Sequence, residues 1–517
     1  MKLVKKLPEH KKAKTLIVGA GVGGRMVVKE IQSHPELGYE LVGLIDDDEK
    51  KIHRRFHEIE VIGKIIDITS VVKQLMIDLV IICIPSASGN VIRSIAAQCE
   101  GSNVEYKIVP GVFEILGETV NVSPIRNVDV EDLLRRPPIT INSKKILAYL
   151  SNNVVLITGA GGSIGSELCR QICKIRPKQI LLLGHGENSI YQINRELKAS
   201  YPQVQIEPII CSVVDNVKLN YVMKAYQPNV VFHAAAYKHV PLMQDFPEEC
   251  VKNNIIGTLN VVAAADKYGI KKFVSISTDK AVNCVNNMGI SKRIAEMIVQ
   301  AYSRTSRTEF MIVRFGNVLG SRGSVVPLFK EQIAKGGPVT VTHPEMTRFF
   351  MTMPEAAQLV VQAGSLGKSG DVFVLDMGEP VKIADLAKRM IHLMGLEVKD
   401  DIHPNGDIEI RFTGLRPGEK LYEELLIGEN VRETAHPRIM AASEVYLGWQ
   451  QMAELLQRLE SYCEAFAVEE IVDLLRSAPT GFNYQSGSSD LVMMANGRPL
   501  LDEAAVTAIA AGKKQIA

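Results

Sequence analysis

Val154-Val-Leu-Ile-Thr158-Gly159-Ala-Gly-Gly162-Ser-Ile-Gly165, continued by a helical pattern from Ser166 to Cys173, decides the fold. A β-branched and apolar run stopped by glycines reads as a strand buried on both faces of a parallel sheet. The glycines turn the chain and let main-chain N–H groups approach an anion at the helix start with no side chain in the way. Thr15-Leu-Ile-Val-Gly19-Ala-Gly21-Val-Gly-Gly24, followed by Arg25 to Gln32, has the same form. Further short apolar runs lie at Glu40 to Leu44, Leu79 to Ile84, Gln179 to Leu183, Val230 to His233, Lys272 to Ser277 and Phe310 to Arg314, with helical patterns between them. This alternation predicts an α/β protein with two Rossmann-like, doubly wound parallel-sheet domains.

The paired prolines of Asp132-Leu-Leu-Arg-Arg-Pro-Pro138 bias the chain away from helix and mark a boundary. Residues 1–130 read as the first nucleotide fold, 131–150 as a linker, and 151–430 as the second fold with a smaller substrate-binding lobe. Residues 431–517 read as a C-terminal helical segment, with a helical period over Ala453 to Ser477, and a flexible tail from Ser486. One short amphipathic pattern lies in that tail near Leu501 to Ala511.

The 517 residues are 46% hydrophobic, enough for sizeable cores, which excludes disordered and collagen-like classes. A net charge of +1 gives no global attraction to nucleic acid. No apolar run approaches the ~18–20 residues that span a bilayer, and the start lacks a signal peptide's apolar stretch. Six lysines in the first fourteen residues read as a solvated tail, with weak contact to an anionic membrane surface as the sharper alternative. Eight scattered cysteines read as core residues in a reducing cytoplasm. Cys169 and Cys173 share a helix face and His233 and His239 flank a loop, but no further ligands stand at fixed spacing, so no metal is expected.

The first loop spaces Gly19, Gly21 and Gly24 as GxGxxG, with Asp46 at the next strand end, where a ribose hydroxyl would be held. The same pattern fits a fold that binds nothing, or binds a regulatory ligand. In the second loop Gly159, Gly162 and Gly165 form GxxGxxG, and the expected acid is missing from Leu181-Leu-Leu-Gly184-His185-Gly186-Glu187-Asn188. A 2′-phosphate would meet no repulsion there, so NAD and NADP both remain open. The candidate cofactor residues are Gly159, Gly162, Ser163, Ile164, Gly165, His185, Asn188, Asp215, Ala234, Ala235 and Lys292.

Later motifs carry the chemistry: His233-Ala-Ala-Ala-Tyr237-Lys238-His239, Ser275-Ile-Ser277-Thr278-Asp279-Lys280, Met288-Gly-Ile-Ser-Lys292, Arg314-Phe-Gly-Asn317, Arg348, and Arg416-Pro-Gly-Glu419-Lys420. With these residues the sequence resembles the nucleotide-sugar 4,6-dehydratases of bacterial polysaccharide biosynthesis, in the extended short-chain dehydrogenase/reductase superfamily. It is most similar to the UDP-N-acetylglucosamine 4,6-dehydratases, strongly over about 150–430. The first nucleotide fold resembles the cytosolic domain of the larger members, which usually begin with transmembrane helices.

The family pattern is Tyr-x-x-x-Lys, but Met288 occupies the tyrosine position while Lys292 keeps its place. A thioether cannot give or take the proton. A dead site is one reading. The resemblance to a methionine-bearing subgroup implies another, a dehydratase that retains the configuration at carbon 5. It further implies Thr278 holding the carbon 4 hydroxyl, Asp279 as acid for the carbon 6 hydroxyl, Lys280 as base at carbon 5, and Lys292 on the nicotinamide ribose. Asp279 is also our candidate for the carbon 4 proton. The candidate substrate residues are Lys238, His239, Asn317, Arg322, Arg348, Arg416 and Glu419, with Arg348 and Arg416 suited to the UDP diphosphate, and Asn317 and the main chain of Gly320 to Ser324 alongside. The resemblance implies tightly bound NAD or NADP regenerated at each turnover, and a homo-oligomer. A carbon 5-inverting dehydratase, a 4-epimerase and a catalytically silent nucleotide-sugar sensor are the alternatives.

Overall fold

The computed structural model describes residues 12–109, 125–134, 136, 142–425, 431–442, 444 and 446–478. The lysines before Lys12, the paired prolines and the tail from Ser486 lie outside the described residues. The chain divides into two compact units, Met1–Thr140 with His392–Leu396, and Ile141–Ile391 with Glu397–Ala517.

In the first unit the strands are β1 (Ala13–Val18), β2 (Tyr39–Ile45), β3 (Arg55–Phe56), β4 (Ile59–Gly63), β5 (Leu79–Ile82), β6 (Glu105–Ile108) and β7 (Arg126–Asn127). Their order is β3-β4-β2-β1-β5-β6-β7. The inner strands are parallel, and the two short edge strands are antiparallel. Helix α1 (Val22–Ser33) starts at Gly21. Gly24 has no Cβ because one would overlap the Gly19 carbonyl, which is how the helix seats on the loop. The carboxylate of Asp46, expected to face a ribose, accepts the Ala20 N–H at 2.7 Å and pairs with Lys51 at 3.0 Å. Burial opposes its charge, but main-chain donors from Asp48 and Ala20 and the Lys51 ammonium outweigh that and hold its pKa low.

In the second unit β8 (Val154–Thr158), β9 (Gln179–Gly184), β10 (Gln205–Ile210), β11 (Val230–His233), β12 (Lys272–Thr278), β13 (Glu309–Phe315), β14 (Val372–Leu375), β15 (Val431–Glu433) and β16 (Ile439–Ala442) form one sheet. The order is β10-β9-β8-β11-β12-β13-β14-β16-β15. Strands from β10 through β14 are parallel, while β16 pairs antiparallel with both β14 and β15. The expected α/β class with Rossmann-like parallel sheets is thus found. Register pairs Thr158 with His233, His233 with Ser275, and Thr278 with Phe315. The carboxyl ends of β8, β11, β12 and β13 therefore open on one edge, where ligands bind in this architecture.

The helices that frame this sheet include α2 (Ser143–Leu150), α3 (Ser163–Lys174), α4 (Asn287–Tyr302), α5 (Met353–Leu366), α6 (Trp449–Ala465) and α7 (Val468–Ser477). Helix α2 falls within the stretch read as a linker, and it docks on α5. The Tyr149 hydroxyl donates to the Val361 carbonyl at 2.6 Å, and the Asn142 N–H to Gln362 Oε1 at 2.7 Å. Met452, Leu455, Leu456 and Leu459 of α6 and Ile471, Leu474 and Leu475 of α7 share the core with Phe273 and Phe310. Seven such side chains contribute roughly 10–20 kcal/mol of gross burial at about 1.5–3 each. That is comparable to a domain's whole net stability, so residues 449–477 complete this unit's core. Cys169 and Cys173 are buried in α3 packing. No described helix is long and apolar enough to cross a membrane.

Candidate active site

The second glycine loop is built for close approach. Gly159 has φ +64°, and a Cβ there would lie 2.8 Å from Ala235 Cα, so the loop presses against Ala234 and Ala235. A Cβ at Gly165 would overlap the Gly159 carbonyl. Gly162 caps α3 through its backbone alone, with no side chain over the first N–H groups. The cradle fits a dinucleotide diphosphate, with Ser163 and Ile164 opening the helix. Arg322 bridges it, its N–H donating to Ser163 Oγ at 3.1 Å and its guanidinium to the Gly161 carbonyl. His185, Asn188 and Asp215 are exposed beyond the ends of β9 and β10. The His185 ring stands edge-on to Tyr237, 6.5 Å between centroids, while Asp215 caps a helix by accepting the Lys218 N–H.

The loop after β11 is held by Asn254, which is fully buried and exchanges two hydrogen bonds with the Tyr237 main chain, at 2.8 and 2.9 Å. Asn254 sits in a π-helical turn, Val251–Ile256, a form frequent at functional sites. His233 lies beneath, buried between Thr158 and Thr258 hydroxyls at 2.8 and 3.0 Å. Burial, with the nearby Lys292 charge, pushes its pKa down to about 3, so it is neutral and structural.

Asp279 and Lys280 follow directly on β12. Lys280 Nζ lies 3.0 Å from Asp279 Oδ1, 3.4 Å from Asn317 Oδ1 and 3.4 Å from Glu423 Oε1. The Thr278 hydroxyl donates to Asp279 Oδ1 at 2.8 Å. Asp279 has no exposed surface, and its Oδ2 has no hydrogen-bond partner among the described residues. Gly316 leaves room for that oxygen, since a Cβ there would lie 3.0 Å from it. Burial opposes the charge on Lys280, but Asp279 and Glu423 outweigh it and raise its pKa above the ordinary lysine value. In the protein alone Lys280 is an ammonium.

Met288 is buried with Met243 and Cys250, beneath Tyr237. One turn on, Lys292 Nζ donates to the Ile276 carbonyl at 2.8 Å, and burial lowers its pKa to about 8, partly opposed by Glu296 and Cys250. Behind it stands a closed ionic cluster. Arg314 grips Glu296 through two bonds of 2.7 Å and reaches Glu444 at 2.5 Å, while Arg293 pairs with Glu296 at 2.9 Å and Glu444 at 3.5 Å. All four side chains are at most 3% exposed.

The residues expected at the substrate separate into groups. Lys238 lies 3.4 Å from Ser321 Oγ, and burial, Arg322 and Lys280 all lower its pKa. His239 packs against Gly323, and Asn317 joins Lys280. Arg348 is buried and turned onto the Lys420 and Leu421 carbonyls, with Glu423 at 3.7 Å. Arg416 is exposed, its N–H donating to Glu419 Oε2 at 3.2 Å. Its turn is moored near the catalytic loop by Asn286 bonding the Gly418 carbonyl and Lys420 bonding the Val282 carbonyl. Sequence reasoning missed Glu423, Gly316 and the Glu296 cluster. An acid inside Leu421-Tyr-Glu423-Glu-Leu-Leu, just after the Arg-Pro-Gly-Glu-Lys turn, was the available signal for the first. Among the described residues no three metal-ligating side chains converge.

Residues 1–110 match the model of a CoA-binding domain. The probable polysaccharide biosynthesis protein EpsC of Bacillus subtilis is 49% identical over 455 residues, covering 88% of this chain and 75% of that one. A UDP-glucose 4-epimerase of Rickettsia canadensis is 35% identical over 287 residues, covering 54% of this chain and 79% of its own. The X-ray structure of Pen from Bacillus thuringiensis superposes with a TM-score of 0.52 at 33% identity, covering 58% of this chain and 90% of that one. Residues 155–444, more than half the chain, match the polysaccharide biosynthesis protein model, and the chain belongs to that family.

Proposed function

We propose that the second unit dehydrates a nucleotide sugar, UDP-N-acetylglucosamine, to its 4-keto-6-deoxy product with retention at carbon 5, using NAD or NADP. The observation that carries this reading is the hydrogen-bonded Thr278-Asp279-Lys280 cluster, its carboxylate fully buried, on the same sheet edge as the glycine cradle, with Met288 where a phenol would serve other reactions. A nicotinamide dinucleotide supplies the hydride acceptor and donor of such a cycle. Gly159, Gly162 and Gly165 would hold its diphosphate, and Lys292 its ribose.

The chain's own groups handle protons. Thr278 orients the carbon 4 hydroxyl, and Asp279 accepts its proton. The carbon 4 ketone acidifies carbon 5, where Lys280 as free amine takes the proton. Asp279 then protonates the departing carbon 6 hydroxyl, and Lys280 returns its proton to the same face of carbon 5. Neighbouring acid and base need opposite protonation states at one pH, which a coupled buried pair supports. Asn317, Arg322, Lys238 and His239 would meet the nucleotide sugar, and Arg416, its turn shaped by Glu419, would meet its diphosphate. The eight buried cysteines, none in a disulfide, accord with work in the cytoplasm.

The epimerase relative supports a second reading, 4-epimerisation. Epimerisation conserves mass and leaves the carbon 5 proton in place, whereas dehydration loses one water and exchanges that proton. Mass spectrometry of products from UDP- and dTDP-sugars in heavy water decides. Unchanged mass with every sugar would sink the dehydratase reading.

A further inference from the structure

Lys280 poses a proton problem. It must be an amine to act at carbon 5, yet it stands as an ammonium held between two carboxylates. If its proton passed to Asp279, that group would be filled and unable to receive the carbon 4 proton. The cluster therefore needs a second place for a proton, and the structure supplies one. Glu423 Oε1 lies 3.4 Å from Lys280 Nζ, and the side chain is only 4% exposed. Its Oε2 is buried and has no hydrogen-bond partner among the described residues. The charged and titratable groups facing Lys280 are Asp279, Glu423, Arg348 and Lys238. Of these only the two carboxylates can accept a proton at neutral pH.

We propose that Glu423 is a positioning residue that takes the proton of Lys280 when substrate displaces water and returns it when the cycle closes. This rests on the dehydratase reading above. Removing water disfavours separated charges, so transfer from ammonium to carboxylate leaves a neutral pair in a drier site.

The cycle balances. The carbon 4 hydroxyl proton goes to Asp279, and the carbon 4 hydride to the oxidised nicotinamide dinucleotide. Glu423 takes the Lys280 proton, and Lys280 takes the carbon 5 proton. Asp279 gives its proton to the carbon 6 oxygen as that C–O bond breaks, releasing water. The hydride is delivered to carbon 6, Lys280 reprotonates carbon 5, and Glu423 reprotonates Lys280. The net change is loss of one water.

Glu423→Gln separates this role from that of a counter-ion for Arg348. With UDP-N-acetylglucosamine and oxidised dinucleotide, the variant is expected to form reduced nicotinamide in a single turnover, read by its near-ultraviolet absorbance. Exchange of the carbon 5 proton with heavy water should fall by about a hundredfold or more. Residual turnover should rise with pH on a one-proton slope, because Lys280 must then lose its proton to solvent. Glu423→Asp should recover much of the exchange. Wild-type exchange with an unchanged pH profile in Glu423→Gln overturns the proposal. So does loss of nicotinamide reduction while dinucleotide affinity is normal. If Glu423→Gln does not fold, Glu423→Asp decides, since an unaltered exchange rate and pH profile there also overturn it. Wild-type protein that never reduces dinucleotide with any nucleotide sugar instead removes the dehydratase reading itself.

Discussion

Met288 cannot exchange a proton, which throws the acid–base work onto Asp279 and Lys280. Asp279→Asn keeps the shape of the side chain and removes its basicity. Turnover should fall by about 10²–10⁴-fold while dinucleotide affinity is kept, checked by parallel rate and binding titrations. Lys292 makes a second prediction. Its pKa near 8 lies below the ordinary lysine value of 10.5, so its charge disappears as pH rises through about 8. Dinucleotide affinity should weaken by about tenfold or more across that rise, and Lys292→Met should bind weakly with no such pH dependence. Stability moves in the opposite direction. The unfolded chain binds more protons than the folded one between the two values, so this lysine destabilises the fold less as pH climbs from 8 toward 10.5.

Helix α4 carries both Met288 and Lys292, and its middle is held to β13 by the Arg293, Glu296, Arg314 and Glu444 cluster. Breaking a buried ion group by removing one member leaves an uncompensated charge. Glu444→Ala should therefore cost about 3–5 kcal/mol, measured by urea unfolding of the second unit, although Glu444 lies far along the chain from the motifs. Elements of this kind show what the sequence disclosed. The strands that bear motifs were legible within one or two residues, because a fully buried parallel strand is a continuous apolar run. Strand β10 was not, since Pro208 interrupts it. It sits at the sheet edge, where a missing N–H is tolerated. Glu423 escaped for a different reason. It acts through Lys280, distant in sequence, and an acid after the Arg-Pro-Gly-Glu-Lys turn does not by itself announce a carboxylate that becomes buried only when two remote loops meet.

The two large sheets among the described residues lie in separate compact units with their own cores, which predicts non-two-state melting. Scanning calorimetry should show two transitions, and NAD or NADP at about 100 times its Kd should stabilise the second unit by about 2.7 kcal/mol. A single transition that leaves both cores unmoved by dinucleotide counts against assigning the cradle to the second unit. At this scale the α/β class was readable from the glycine loops alone. The role of residues 431–477 was not, because a short strand such as Ile439–Ala442 declares its place only by the neighbours it joins. That strand has a further consequence for biogenesis. The large sheet receives its final members from residues 431–442, and its core from α6 and α7 beyond them. During translation the described strands of the first unit emerge well before residues 431–475, and the large sheet stays open-edged until those residues have been made. Chaperone demand should therefore persist until residues 431–475 have emerged, and nonsense mutations before codon 449 should give aggregates instead of a trimmed protein.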